Sequence, residues 1–515
     1  MMGLFDIFEY IPTWTWLIIL TVVLLYIYGT KGHDVLEKMG IPGPKPHIFV
    51  GNVMEFRHLG LVEQMETWKK QYGPVFGLYF GRRISLVIND LDILKEVLVK
   101  DFQHFTDRRI DVARSYVEKG VFFQGGADWK RIRNIITPTF SSGKLKLMIG
   151  NINKCGGLLS DNLVTKAKKG ETVDVKRYFG AYTMDVIATT AFGLDIDSQT
   201  NPEEPFVDNA RKLFAQTKLT STAMLISMIF PFLKPLLKLL NVGFFPAAPV
   251  NFFVRSIKAM IEQRKTEDEA TRSQRTDFLQ LLLKAESEEI NDDKVSNGTQ
   301  TKVIKRLTLE EIIGQAFLFF VAGYETTANT LHFVAYHLAK NPEVQEKVIK
   351  EIERHVGDRE PTYDEINKLT YTEQVITETL RINPPVVMVN RKSSDDVTFK
   401  GIHIPKDTTV MIPIYTVQHD PENYENPEEF RPERFDPATR KESNPVTFLS
   451  FGYGPRLCIG MRLAMVETKI ALIYALRKVR FVKCSETTET LEFNNVGLLS
   501  PKVPILVGVD LVNQT

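Results

Sequence analysis

The chain has 515 residues, 43% of them hydrophobic, and a net charge of +1. That balance excludes a polybasic nucleic-acid binder, while three cysteines (Cys155, Cys458, Cys484), with no Cys-x-x-Cys pair and no Cys/His cluster at zinc spacing, exclude a disulfide framework and a structural zinc site. The apolar fraction is ample for a large core, and the odd, sparse cysteine set suits a reducing compartment.

In chain order, the first element is IPTWTWLIILTVVLLYIY, Ile11 to Tyr28, which carries no charge and is about long enough to cross a bilayer as a helix. Trp14, Trp16, Tyr26 and Tyr28 sit at its ends, where amphipathic rings favour the membrane interface. Asp6 and Glu9 precede it without Lys or Arg, and Lys31 and Lys38 follow, so the positive-inside rule puts the rest of the chain in the cytosol. A cleaved signal peptide is the competing reading; the acidic start and the missing A-x-A-like site count against it. Residues 1–30 are therefore read as a membrane anchor, 31–47 as a linker stiffened by IPGPKP (Ile41 to Pro46), and 48–515 as one large domain.

Within that domain, VFGLYFGRRISLVIND (Val75 to Asp90) reads as a β-hairpin about a Gly-Arg-Arg turn, and helical periodicity dominates from Leu91 onward. Thr220 to Val254 is strongly apolar but broken by Pro231, Pro235, Pro246 and Pro249, which forbids a straight span. It is either a core helix pair or a surface that dips into lipid beside the anchor. A charged, turn-rich loop follows, with a sequon at Asn297-Gly298-Thr299 that should carry no glycan if the domain is cytosolic. Thr308 to Lys340 is one long apolar helix with Thr308 and Glu311 placed as a capping box; Glu310, Glu311, Gln315 and Glu325 make it a buried central helix rather than a second span. Short strand-like runs return between Val397 and Pro413, and the last helix follows Cys458. The expected class is mainly α with a small β portion.

Cys458 lies in FLSFGYGPRLCIGMRLA, with Phe451, Gly454, Arg456 and Gly460 completing the pattern F-x-x-G-x-R-x-C-x-G. Glycines admit close approach to the sulfur, and a helix that begins just beyond it turns its positive end and amide donors toward a thiolate. The pattern resembles the haem-binding loop of the cytochrome P-450 superfamily, which implies that Cys458 is the proximal ligand of haem b iron and pushes electron density that favours O–O cleavage. The resemblance also implies that fold, a single large haem domain behind the anchor.

AGYETT, Ala322 to Thr327, on its own is equally consistent with ordinary packing, with the threonine bonding back to its own helix. It is similar to the superfamily's A-G-x-[DE]-T-[ST] oxygen-activation motif, which implies a proton-handling pair of Glu325 and Thr326, with Gly323 leaving a flat face for a porphyrin. E-x-x-R recurs at Glu269/Arg272, Glu351/Arg354, Glu378/Arg381 and Glu428/Arg431, so the pattern alone says little. Glu378/Arg381 stands in an apolar helix halted by Pro384 and Pro385, where the pair should be buried and need a third partner. PERF, Pro432 to Phe435, resembles the segment that supplies it through Arg434. By the same resemblance Arg108, Trp129, Arg133, Arg391 and Arg456 would hold the haem propionates, and Phe122, Phe320, Val321, Ala322, Val386 and Val387 would line the substrate pocket.

WKRIRNIITPTFSSGKLKLM, TDFLQLLL, FVAGYETTANTL and ETLR extend the likeness over nearly the whole chain and point to the family 3, subfamily A type of microsomal enzyme. Val321, the segment PPVVMVN (Pro384 to Asn390) and VQHDP (Val417 to Pro421) depart from that branch, which affects the expected substrate more than the reaction. The implied activity is insertion of one oxygen atom from O2 into bulky lipophiles such as steroids, drugs, xenobiotics and lipids, at the cytosolic face of the endoplasmic reticulum. Electrons from NADPH would come through a separate NADPH-cytochrome P-450 reductase, since the chain has no G-x-G-x-x-G fingerprint; cytochrome b5 is a second redox partner the likeness allows. The basic face near Arg456 and Lys130 would dock such an acidic partner. Two other readings are a reductase-independent isomerase of the thromboxane-synthase type, and a haem sensor or electron carrier with His419 as a second iron ligand.

Overall fold

The apolar run near the N-terminus forms helix α1 (Thr13–Thr30) in a computed structural model that describes residues 12–57, 59–110, 115–201, 203–216, 222–240, 243, 245–287, 306–440, 444–494 and 498–512. Most of the sequon-bearing loop, Asn297 included, lies outside the described residues. The large side chains of α1 are exposed, and the helix is long and apolar enough to cross a bilayer. Its last turn is docked. The Gly29 carbonyl accepts from the Phe49 amide at 3.2 Å, the Tyr28 hydroxyl donates to the Ile229 carbonyl at 2.8 Å, and the Arg82 guanidinium lies 4.0 Å above the Tyr28 ring.

The segment expected to be a stand-off linker is packed on the domain as well. Leu36, in a one-turn helix, is buried with its amide donating to the Tyr79 hydroxyl at 3.0 Å, and the Gly77 amide donates to the Pro42 carbonyl at 2.8 Å. Its prolines do hold the chain extended, and an extended backbone with free carbonyls can bond to a strand it crosses.

The hairpin is strands β1 (Val75–Phe80) and β2 (Arg83–Ile88), paired from Val75↔Ile88 to Phe80↔Arg83. Strands β3 (Val389–Lys392) and β4 (Thr409–Ile412) complete a four-stranded sheet in the order β1-β2-β4-β3; β4 runs parallel to β2 and antiparallel to β3. The remainder is mainly helical. The helices that matter for the site are α2 (Gly126–Ile136), α3 (Ser142–Lys169), α4 (Val175–Phe192), α5 (Thr222–Ile229), α6 (Ala247–Thr266), α7 (Leu309–Lys340), α8 (Thr370–Ile382) and α9 (Met461–Leu476).

Helix α7 is the axis of the molecule. Thr308 and Glu311 form the expected capping box, satisfying amides that the first turn would leave orphaned, and apolar side chains all round the helix are buried against its neighbours. Its closest neighbour is α4, where Thr183 Oγ1 donates to the Tyr324 carbonyl at 3.2 Å. Phe192, Phe206, Phe253 and Phe320 stack into a cluster between α4, α6 and α7, with Phe192 and Phe320 rings 3.9 Å apart and nearly parallel. The broken apolar segment gives α5 and further short helices in which Phe232, Leu236, Leu239 and Leu240 are exposed, so it is not a fully buried helix pair.

Candidate active site

The loop ahead of α9 is tied into a tight fold by its own backbone: the Cys458 amide donates to the Phe451 carbonyl at 2.8 Å and the Leu457 amide to the Gly454 carbonyl at 2.9 Å. Gly454 adopts φ 76°, and a Cβ there would stand 2.0 Å from the Leu98 carbonyl oxygen. Glycine is thus required for left-handed backbone and for contact with neighbouring backbone, rather than for approach to the sulfur. At Gly460 the position of a Cβ meets nothing within 4 Å, leaving that side of the loop open. The Cys458 sulfur is solvent-accessible, yet protein surrounds it closely enough for desolvation to raise its thiol pKa; it lines an interior hollow rather than the outer surface. The Gly460 amide, the Arg133 and Arg108 charges and the Met461 amide act the other way, each favouring the thiolate.

Around this sulfur the fold gathers cations. Arg133, from α2, donates to the Leu457 carbonyl at 2.8 Å. Arg456 lies 4.4 Å over the buried Trp129 ring and donates to the carbonyls of Thr106, Val121 and Gln124. Burial brings Arg391 down to about 10, and burial with repulsion from Arg391 brings Arg456 down to about 9; burial followed by the same two neighbours lowers Arg108 too. Arg108 Nε and Nη1 and Arg391 Nε are buried without an acceptor, and among the described residues neither side chain pairs with a carboxylate. Concentrated, desolvated positive charge of this kind needs an anion. A group with two carboxylates and a metal that takes a thiolate fits both demands, so the residues present suit haem.

Beyond its exposed first turn at Leu309 and Glu310, α7 is mostly buried, but Ala322 in its middle is exposed, with Gly323 and Thr326 half-buried beside it. Gly323 is not the flat bed expected of it. A Cβ there would come within 2.8 Å of Ile187 Cδ1, so this glycine lets α7 and α4 pack closely, and Ala322 presents the open face. Thr326 Oγ1 donates to the Ala322 carbonyl at 2.6 Å. Glu325 turns toward α4, where Lys176 Nζ lies 2.7 Å from Oε1; the acid and hydroxyl adjoin in sequence but are separately engaged.

The expected pocket wall is corrected at two positions. Phe320 is fully buried in the phenylalanine cluster, about 200° round the helix from Ala322, and faces away from the hollow. Val387 is buried in a crevice with Leu61, Met65 and Tyr415. Val386, its neighbour in an extended segment, points the other way and bridges to Leu498. Val321 is half-buried against the core. Phe122 is 38% exposed, with the Arg108 guanidinium 3.9 Å over its ring.

Glu378 and Arg381 are fully buried on α8 and bonded twice, Nε to Oε2 at 2.8 Å and Nη2 to Oε1 at 2.9 Å. Arg434 Nε stands 3.3 Å from Glu378 Oε1 as an ion pair without hydrogen-bond alignment, and the Arg431 amide donates to the same oxygen at 3.0 Å. Arg381 also donates to the carbonyls of Gln418, Pro427 and Glu429. Sequence reasoning missed Gln418. This fully buried amide donates to the carbonyls of Leu380 and Arg381 and accepts from the Leu449 amide at 2.7 Å and Ser450 Oγ at 3.1 Å, joining the ion pair to the start of the Cys458 loop. A buried glutamine bridging two loops has no local pattern that would have announced it. His419, considered as a second iron ligand, is stacked 3.8 Å from Tyr415 with Nδ1 on the Tyr415 carbonyl.

Comparison with known proteins agrees with this arrangement. The profile of the family described as "Cytochrome P450" matches residues 41–509. The chain is 39% identical to "Cytochrome P450 3A29" of Sus scrofa, covering 98% of each, 40% identical to "Cytochrome P450 3A9" of Rattus norvegicus, covering 97% of each, and 39% identical to "Cytochrome P450 3A7" of Homo sapiens, covering 99% of each.

Proposed function

Since the chain belongs to the cytochrome P450 family and is a haem-thiolate monooxygenase of lipophilic substrates, we propose that it oxidises bulky steroids, drugs and other lipophiles at the endoplasmic reticulum, fed by NADPH-cytochrome P-450 reductase and accessible to cytochrome b5. The observation that carries this reading is a solvent-accessible Cys458 thiol set amid closely packed protein, with Arg108 Nε and Nη1 and Arg391 Nε buried beside it without an acceptor. Haem iron bound there supplies O2 activation and transfer of one oxygen atom to a substrate C–H bond.

The chain's own residues would do the rest. Cys458 would ligate the iron, and a metal cation at the sulfur would overcome the burial that now favours the thiol. Arg108, Arg133, Arg391 and Arg456, backed by the Trp129 ring, would hold the two propionates, while Phe451, Gly454 and Gly460 shape the loop. Thr326 Oγ1 holds a proton at the open face and can release it on turning from the Ala322 carbonyl. Glu325, ion-paired to the 35%-exposed Lys176, would join this face of α7 to solvent. Ala322, Val321, Val386 and Phe122 would contact substrate, and the apolar walls would exclude water.

Membrane placement rests on α1 and on the exposed Phe232, Leu236, Leu239 and Leu240, joined to the anchor through Tyr28 and Ile229. With Lys31 and Lys38 after the span, the domain would be cytosolic; Arg456 is buried and bonded inward, so of the two residues expected to mark the docking face only the exposed Lys130 would meet the acidic reductase. The test is turnover of a lipophile panel with and without reductase. Product that requires reductase and NADPH is expected, with Cys458→His abolishing both it and the red-shifted Soret band of the reduced carbon monoxide complex. Rapid conversion of lipid endoperoxides without reductase would establish the isomerase instead.

A further inference from the structure

Between the short helix Ser115–Glu118 and α2 runs a strap, residues 119–124, that carries Phe122 and Phe123. It lies directly on α7 because two glycines meet. A Cβ on Gly314 would stand 2.6 Å from the Tyr116 carbonyl oxygen and 2.9 Å from the Gly120 nitrogen, so backbone touches backbone. Beside this contact, Gln315 is fully buried with its amide spread across the strap: Oε1 accepts from the Val121 amide at 2.7 Å, and Nε2 donates to the Lys119 carbonyl at 2.7 Å and to the Glu311 carbonyl at 3.1 Å. From the opposite side, Arg456 of the cysteine loop takes the carbonyls of Val121 and Gln124. The strap's backbone bonds are local: the Lys119 and Gly120 amides reach the Tyr116 and Val117 carbonyls, and the Phe123 and Gln124 amides reach the Gly120 carbonyl.

We propose that Gln315 is a positioning and specificity residue: by clamping the strap at Lys119 and Val121 it sets how far Phe122 stands from the open face of α7 at Ala322 and Thr326, and hence the width available to a bulky lipophile. The argument is one of leverage. Gln315 bonds Lys119 and Val121, the residues on either side of Gly120 and the second of them directly before Phe122, whereas the Phe122 side chain is 38% exposed and held chiefly by the Arg108 guanidinium over one face and the Phe123 ring, at 5.2 Å, on its edge. A wall ring with so few contacts takes its position from its backbone, and that backbone is fixed by one buried amide on the α7 side.

This inference rests on the reading that the pocket lies between the strap and α7, so the test separates the two. In the full-length holoprotein, Gln315→Met keeps the side chain's size and deletes its bonds to the strap. Hydrogen exchange should accelerate at the Val121 amide while amides of α8 and α9 keep their protection. Dissociation constants from spectral titration should weaken about tenfold for progesterone and change less than about twofold for toluene, with unchanged haem content and unchanged kcat for toluene. Phe122→Ala should reproduce the progesterone defect without the exchange change. Unaltered Val121 protection in Gln315→Met, or equal weakening for both ligands, overturns the positioning role. If Phe122→Ala leaves progesterone binding untouched, the pocket reading itself fails and the inference falls with it.

Discussion

Thr326 sits on the open stretch in the middle of α7, yet its hydroxyl proton is committed to the Ala322 carbonyl at 2.6 Å, while Glu325 beside it is held at 2.7 Å by Lys176 on another helix. A side chain that both holds a proton near the reacting oxygen and excludes loose water should couple electron flow to product. Thr326→Ala is therefore expected to leave haem content and reduction intact, to lower product per NADPH by about tenfold and to raise hydrogen peroxide correspondingly; supplied peroxide should partly restore turnover. An unchanged product-to-NADPH ratio would remove Thr326 from the mechanism. The lesson of this site at the residue scale is that adjacency in sequence differs from adjacency in space. Neighbours on a helix point about 100° apart, so Ala-Gly-Tyr-Glu-Thr-Thr announces helical chemistry without saying which members face the hollow. Gly323 and Phe320 turned to α4 and the phenylalanine cluster, and Ala322 did not.

Helix α8 makes its contribution through a charge pair with no exposure to water at all. Burying both ions is tolerable because each ion has further partners: the Arg431 amide on Glu378 Oε1, and three backbone carbonyls on the Arg381 Nη1 and Nη2 groups. Removing one charge strands the other. Glu378→Gln should cost about 3–5 kcal/mol and show as lost haem retention and a lowered thermal midpoint, because the displaced Arg381 releases the Gln418 carbonyl and with it the bracing of Leu449 and Ser450. Gln418→Leu, which leaves the ion pair in place, should loosen the Cys458 loop with a smaller fall in midpoint; a variant pair with the reverse order would show that the amide, not the charges, is the main brace. From sequence the helix and the pair were legible, since an apolar segment ending at Pro384-Pro385 leaves an i, i+3 pair nowhere to go but inside. The choice of third partner was not: Arg434 comes within 3.3 Å, but backbone groups of loops tens of residues away do the hydrogen bonding.

At the scale of the whole molecule, three histidines among the described residues are buried, and burial favours their neutral form. Burial brings His337 and His419 down to about 4 from the usual 6.5 and lowers His332 as well. Between about pH 4 and 6.5 the unfolded chain binds protons that these sites refuse, so their contribution to stability is complete above 6.5 and is lost on acidification, by on the order of 3 kcal/mol for His419. Asp185, raised by burial to about 6, works in the opposite sense, as do Glu467, Glu66 and Glu204, each also raised by burial. The histidine contribution is therefore read by difference: between pH 6.5 and 4.5 His419→Phe, which keeps a ring against Tyr415, should lose less stability than the native chain, and an equal change in the two would refute the assignment. Deleting residues 1–30 should preserve the haem spectrum, and exposed Phe232, Leu236, Leu239 and Leu240 should still hold part of the protein on vesicles; complete solubility at low salt without detergent would exclude that second contact. What the sequence by itself determined were the properties carried by local pattern: the apolar α1, the hairpin, the capped central helix and the glycine-bracketed Cys458, each of which depends on periodicity or backbone freedom within a few residues. Only the tertiary structure decided that residues 31–47 pack on the sheet, that Phe320 and Val387 turn from the hollow, and that Gln315 and Gln418 clamp distant loops. Those outcomes depend on which groups long-range packing brings within bonding distance, and a buried polar side chain takes whatever partner the fold delivers, at a separation in sequence that no local pattern encodes.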